Sequence, residues 1–157
     1  MNAKVLGKGG ISQVIELLLR GLFIIGIGLT LSLPVTLPTM LQWLGWRGTT
    51  GAQYWRAFAF MVIFGLLMLT FVYFAARIFR TINEKAPFVE ANLRSLSYMA
   101  WAALLLGLNC LWYIAFDLSV YAIMLGLVFV FLWALLLVLR ELFRAAVDYK
   151  LENDFTI

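Results

Sequence analysis

Residues 57–76 read AFAFMVIFGLLMLTFVYFAA, a run with no charged side chain. A helix needs about 20 apolar residues to cross the hydrocarbon core of a bilayer, so this run predicts a complete membrane span. Further along the chain, Leu96–Phe116 and Val120–Leu139 are equally free of charge and long enough to cross. Composition agrees. The 157-residue chain is 64% apolar and 13% charged, with a mean hydropathy of +0.97. A soluble domain is roughly 45–50% apolar and about 25% charged. No water-soluble fold of this size hides so much apolar surface.

The first span is less tidy. Gly21–Leu33 is apolar apart from Thr30 and Ser32, but short. Upstream, SQVIELLLR carries Glu16 and Arg20, four apart with the acid first, the favourable helical order. Downstream stand Pro34 and Pro38. The reading is a helix from about Ser12 to about Leu33, or one running a turn further with a kink at Pro34. Its first turns lie in the headgroup region, with Arg20 snorkelling toward water. No small-x-small site follows the apolar run, so a cleaved signal peptide is not expected. The fold expected is all-α: a single membrane domain over 1–157, with spans at about 12–36, 56–80, 94–116 and 119–148. These form a four-helix transmembrane bundle, up-down-up-down, with helices two and four extended into the cytoplasm.

Charge orients the chain. Lys4 and Lys8 precede span one; Arg77, Arg80, Lys85 and Arg94 lie between spans two and three; Arg140, Arg144 and Lys150 follow span four. Only Arg47 and Arg56 fall on the other side, so with Arg20 set aside the balance is nine to two. The positive-inside rule then places both termini and the middle loop in the cytoplasm. The net charge of +4 is topology information and does not call for direct nucleic-acid binding. Trp43, Trp46, Tyr54, Trp55, Trp112, Tyr113 and Tyr121 gather near the outer span ends, where amphipathic rings prefer to sit. Trp133 falls deeper and reads as packing. The LQWLGW piece between Pro38 and Arg47 is expected to lie on the bilayer surface. Only Asp117, Leu118 and Ser119 join spans three and four, which makes those helices antiparallel neighbours, with Asp117 or Ser119 as the cap.

The inventory for chemistry is thin. The sequence has no histidine, which removes the commonest general base and metal ligand. The single Cys110 makes no intrachain disulfide. There is no phosphate loop, no metal-ligand spacing and no nucleophile–base pair. No cofactor, no metal site and no catalytic residue is expected, and the chain does not read as an enzyme. Asn109 is the notable polar residue inside a span. It reads as interhelical hydrogen-bond glue, or else as a solute contact in a small oligomeric channel or transporter subunit. Gly28 with Ser32, and Ala103 with Gly107, are small pairs four apart that let helices approach, within the chain or in a homo-oligomer.

The informative charges gather on the inner side. LRELFRAAVDYKLEND continues span four in helical pattern, with Leu139, Leu142, Phe143, Ala146 and Val147 on one stripe. Span two overruns through Ile78, Phe79 and Ile82. Between them, PFVEANLRSL (87–96) reads as a bend at Pro87 and a re-entry helix with a Glu90–Arg94 pair. Either Phe88 packs on the helix extensions and closes the inner end, or these pieces form a face for a cytosolic protein.

At these residues the chain resembles a bacterial family of small four-helix integral membrane proteins of unknown function. The likeness rests on Pro87-Phe88, Asn92 and Leu93-Arg94 entering a span, and on a closing pattern of Phe143, Arg144, Glu152, Asn153, Thr156 and Ile157. Members are often encoded beside a Cro-like helix-turn-helix regulator. The resemblance therefore implies a regulatory pair, with the membrane protein holding or silencing a DNA-binding partner. Where the family often has a glycine, this chain has Ala145 and Ala146. The expected partner-binding set is Phe88, Asn92, Arg94, Arg144, Glu152, Asn153, Thr156 and Ile157. The expected location is the bacterial cytoplasmic (inner) membrane, among membrane lipid.

Overall fold

The computed structural model describes residues 10–43, 51–84, 89–116 and 120–154, with backbone alone for 150, 151, 153 and 154. Four α-helices account for nearly all of them: α1 (Ile11–Trp43), α2 (Ala52–Asn83), α3 (Glu90–Ile114) and α4 (Val120–Asp154). Each is long and apolar enough to cross a membrane. This is the all-α, multi-pass architecture that the uncharged runs predict.

Helix α1 corrects one expectation. It does not stop near Pro34 but continues through Pro34 and Pro38 to Trp43. The Leu41–Trp43 part of LQWLGW is therefore the last turn of a helix, while residues 44–46 lie outside the described residues. A proline removes one helical N–H but keeps a helical φ. The two prolines are four apart and share one stripe, so both missing bonds fall on one side. Beyond them Leu37 and Leu41 are buried, which holds the extra turns in place. Thr36 Oγ1 also donates to the Ser32 carbonyl at 3.0 Å, adding a bond inside the weakened region.

Consecutive helices touch in opposite order along their lengths. Ser12 meets Asn83 while Thr30 meets Gly65. Thr81 meets Asn92 while Phe60 meets Asn109. Gly107 meets Val130 and Cys110 meets Gly126. Helix α1 packs on α2, α2 on α3 and α3 on α4, and no close backbone approach joins α1 to α3 or α4 among the described residues. Helix α3 is the centre. It buries eleven of its 25 residues, whereas α1 buries three of its 33. On α4 the buried positions Ala122, Phe129, Leu136 and Val147 recur with helical spacing, one face turned to the core.

The core has two halves. One joins Ile78, Leu96, Met99, Ala103 and Leu136, with Phe143 and Trp133 packed against it; Trp133 is thus a packing residue, as its depth suggests. The other joins Phe60, Leu106, Cys110 and Phe129. Small residues set the closest approaches. A Cβ on Gly126 would stand 3.3 Å from Cys110 Cβ, and one on Gly107 3.3 Å from Val130 Cγ2. Ala103 and Gly107 therefore serve the α3–α4 contact inside the chain. Gly28 and Ser32 do not: a Cβ on Gly28 would meet nothing within 4 Å, and Ser32 Oγ donates back to the Leu29 carbonyl of its own helix. The α1–α2 approach instead uses Gly26, Thr30 and Gly65.

The outer face of α1 is apolar and open. Leu17, Ile24, Leu31 and Val35 recur every four to seven residues, each about 70% exposed or more. In water such a stripe signals a binding surface; on a membrane span it is the lipid-facing side.

Candidate functional site

Polar side chains of α1, α2 and α3 meet at one end of the bundle, where α1 begins, α2 ends and α3 begins. This end also carries Arg20, Arg77, Arg80, Arg94, Arg140 and Arg144, and is called the basic end below. Asn83, on the last turn of α2, links α1 to α2. Its Oδ1 accepts from Ser12 Oγ at 2.6 Å, and its Nδ2 donates to Glu16 Oε2 at 2.6 Å. The other Glu16 oxygen accepts from Arg20 Nη2, the pair anticipated from their spacing. Glu16 is thereby shared between an amide and a guanidinium and is largely shielded, its side chain 13% exposed.

A second link joins α2 to α3. Thr81 Oγ1 lies 2.9 Å from Asn92 Oδ1 and 2.8 Å from the Ile78 carbonyl, so its one proton is shared between two acceptors. Helix α3 begins just before Asn92, after an extended Val89. Asn92 is fully buried there. Asn92, expected on a partner-binding face, is instead buried between α2 and α3. Ser95 is buried one turn later and bonds the Ala91 carbonyl at 2.9 Å.

The other expected docking residues separate. Arg94 is exposed and stands 3.6 Å from Glu90. Arg144 and Glu152 are exposed on α4. For Asn153 only the backbone is described, within α4. Phe88, Thr156 and Ile157 lie outside the described residues, as do the capping candidates Asp117 and Ser119. The α4 extension divides its predicted stripe. Phe143 packs toward the core and Val147 is buried, whereas Leu142 turns outward, 64% exposed.

Asn109 sits at the other end of the α2–α3 contact. Its Nδ2 donates to the Phe60 carbonyl at 3.2 Å within the core. That is helix-to-helix glue, and its amide is turned into protein. Among the described residues no buried side-chain nitrogen or oxygen lacks a partner. No cluster of metal-ligating side chains occurs among them either.

One feature escapes sequence inspection. A groove of about 680 Å³ opens between α1 and α2 near the basic end. Phe23, Ile24, Tyr73 and Ala76 form its walls, and Arg20, Arg77 and Arg80 its rim. The Phe23 and Tyr73 rings meet across the two helices at 6.0 Å. In the sequence these arginines read as topology charges. The available signal was spacing: Tyr73, Arg77 and Arg80 fall on one face of α2, as Arg20, Phe23 and Ile24 do on α1.

No curated protein and no solved structure matches the chain. A family match does cover residues 37–157, from the buried Leu37 of α1 through the α4 extension and beyond, and on that match the chain belongs to the family described as Protein of unknown function (DUF2975).

Proposed function

We propose that the chain is a non-enzymatic regulator or adaptor of the bacterial cytoplasmic membrane that binds or sequesters a cytosolic, DNA-binding protein. The supporting observation is the length of α4. Its apolar run ends at Leu139, yet the helix continues to Asp154. At 1.5 Å per residue that adds about 22 Å beyond the span. This extension presents Leu142, Arg144, Asp148, Tyr149 and Glu152 on its exposed surface, a mixed charged and apolar helix of the kind protein partners read. The nine-to-two distribution of basic residues supports a cytoplasmic position for it and for both termini. The resemblance to proteins encoded beside helix-turn-helix regulators supplies the class of partner.

The docking set is Arg94, Arg144 and Glu152 with the tail that follows. Asn92 belongs to bundle closure. The Asn109 amide donates to the Phe60 carbonyl, which favours a packing role over a solute contact in a channel.

The experiment is a crosslinking pull-down from native membranes, comparing the full chain with one ending at Leu151. A DNA-binding protein recovered by the full chain alone supports the reading, provided both forms insert equally. Equal recovery by both refutes the tail as docking element, and self-crosslinks alone refute the regulator.

A further inference from the structure

We infer that the groove between α1 and α2 binds the headgroup of an anionic phospholipid, with Arg20, Arg77 and Arg80 around its phosphate. This goes beyond the regulatory reading and does not depend on it.

The chemistry of the groove selects its occupant. Three arginines from two helices line one opening of about 680 Å³. That volume suits a headgroup and lies within the range of small-ligand sites. Guanidinium is the side chain best matched to phosphate, through paired N–H donors. The nearby acids are already engaged. Glu16 serves Arg20 and Asn83, and Glu84 holds Arg80 through Nε at 3.0 Å. Arg77 has no ion-pair partner among the described residues. An anion is therefore favoured, and a lipid ammonium is not.

The walls say that the anion carries hydrocarbon. Below the arginines the groove is lined by Phe23, Ile24 and Tyr73. It opens onto the exposed apolar stripe of α1, where Ile24 is 69% exposed. Arg20 and Arg77 directly flank the uncharged runs 21–33 and 57–76, with Arg80 a turn further out, and so sit at headgroup depth. A free phosphate would satisfy the rim and leave the walls unused; a phospholipid meets both. Basic pockets between spans are known to select lipids in this way.

The test uses the full-length protein in detergent, read by native mass spectrometry. The probes are dioleoyl phosphatidylglycerol, dioleoyl phosphatidylcholine and sodium phosphate. Phosphatidylglycerol is expected to bind at least about fivefold more tightly than phosphatidylcholine, the ratio corresponding to one basic contact near an anionic surface. Arg77→Gln is expected to remove most of that preference, and Arg77→Lys to retain part of it. Arg140→Gln, at the same end but outside the groove, is expected to leave the preference intact. Equal binding of the two lipids overturns the inference. So does a preference that survives Arg20→Gln/Arg77→Gln, or one lost equally in Arg140→Gln. If sodium phosphate displaces phosphatidylglycerol at matched concentration, the site takes a free anion and the lipid assignment falls.

Discussion

Gly65→Ala tests the closest contact between α1 and α2. The new methyl group would stand 2.7 Å from Thr30 Oγ1 and 3.1 Å from Thr30 Cγ2. Favourable carbon contacts begin near 3.5 Å, so the helices must part by about half an ångström or Thr30 must turn. Turning is not free. Thr30 Oγ1 donates to the Gly26 carbonyl at 2.8 Å, and that bond fixes the rotamer. Overpacking of this kind costs about 1–3 kcal/mol. The same figure applies here whether α1 moves or the hydroxyl loses its acceptor.

The partner substitution makes the reasoning sharp. Thr30→Ala removes both close atoms and leaves Cβ, 3.4 Å from the added methyl group, an ordinary contact. Thr30→Ala/Gly65→Ala should therefore be more stable than Gly65→Ala alone. The expected coupling is about 1 kcal/mol or more, within the range for touching residues. Reversible unfolding by SDS titration in mixed micelles, followed by circular dichroism, measures all four corners of the cycle. A neutral Gly65→Ala, or a double variant no more stable than the single one, would refute the packing of Thr30 against Gly65.

Three further outcomes follow from the hydrogen bonds. Asn92→Ala should cost about 1–3 kcal/mol in the same titration, because a fully buried amide is lost and Thr81 loses one acceptor; a surface docking residue would cost almost nothing. Asn83→Ala should loosen the start of α1, raising hydrogen–deuterium exchange across residues 12–20 while exchange in α3 stays unchanged, since Asn83 hydrogen-bonds both Ser12 and Glu16 from α2. Asn109→Leu should destabilise by about 1 kcal/mol or less and leave solute leakage from liposomes unaltered; altered leakage would return Asn109 to a conducting path.

The spans were legible because membrane insertion is decided by composition over some twenty residues, which a single sequence displays directly. The short connection at 117–119 and the start of α3 after Pro87 were legible for local reasons, chain length and proline geometry. The end of α1 was not. Pro34 and Pro38 argue locally for a stop, and the burial of Leu37 and Leu41 overrides them through contacts from elsewhere in the chain. The small residues show the same limit. Gly28 and Ser32 have the right spacing for a helix contact, as do Gly26 and Thr30 two positions earlier. Only the rotation of α1 against α2 decides between them, and it turns Gly28 to the outside. Asn92 looked like a surface motif because it lies in a charged stretch, yet its side chain points at Thr81. The arginine groove needs the register of two helices, and no single run of residues contains it.

Lipid tails are as apolar as leucine, so burial alone gives little reason for these helices to associate. Specific contacts must do it, and they are unevenly placed. The α2–α3 seam is held near both ends, by Thr81–Asn92 and by Asn109–Phe60. Helices α3 and α4 approach closely over Gly107 and Gly126. Among the described residues α1 approaches α2 alone, through Thr30 against Gly65 in the middle, through Phe23 and Tyr73 nearer the basic end, and through Asn83 at that end. Most of its surface faces lipid. Helix α1 is thus held on one side alone among the described residues, and the arginine groove lies along that seam. A phosphate held by Arg20 of α1 and Arg77 of α2 would bridge the same two helices as Asn83. Binding that favours the closed seam must stabilise it by mass action. Phosphatidylglycerol should therefore offset part of the Asn83→Ala defect and none of the Asn92→Ala defect, because the second lies between α2 and α3, away from the bridged pair.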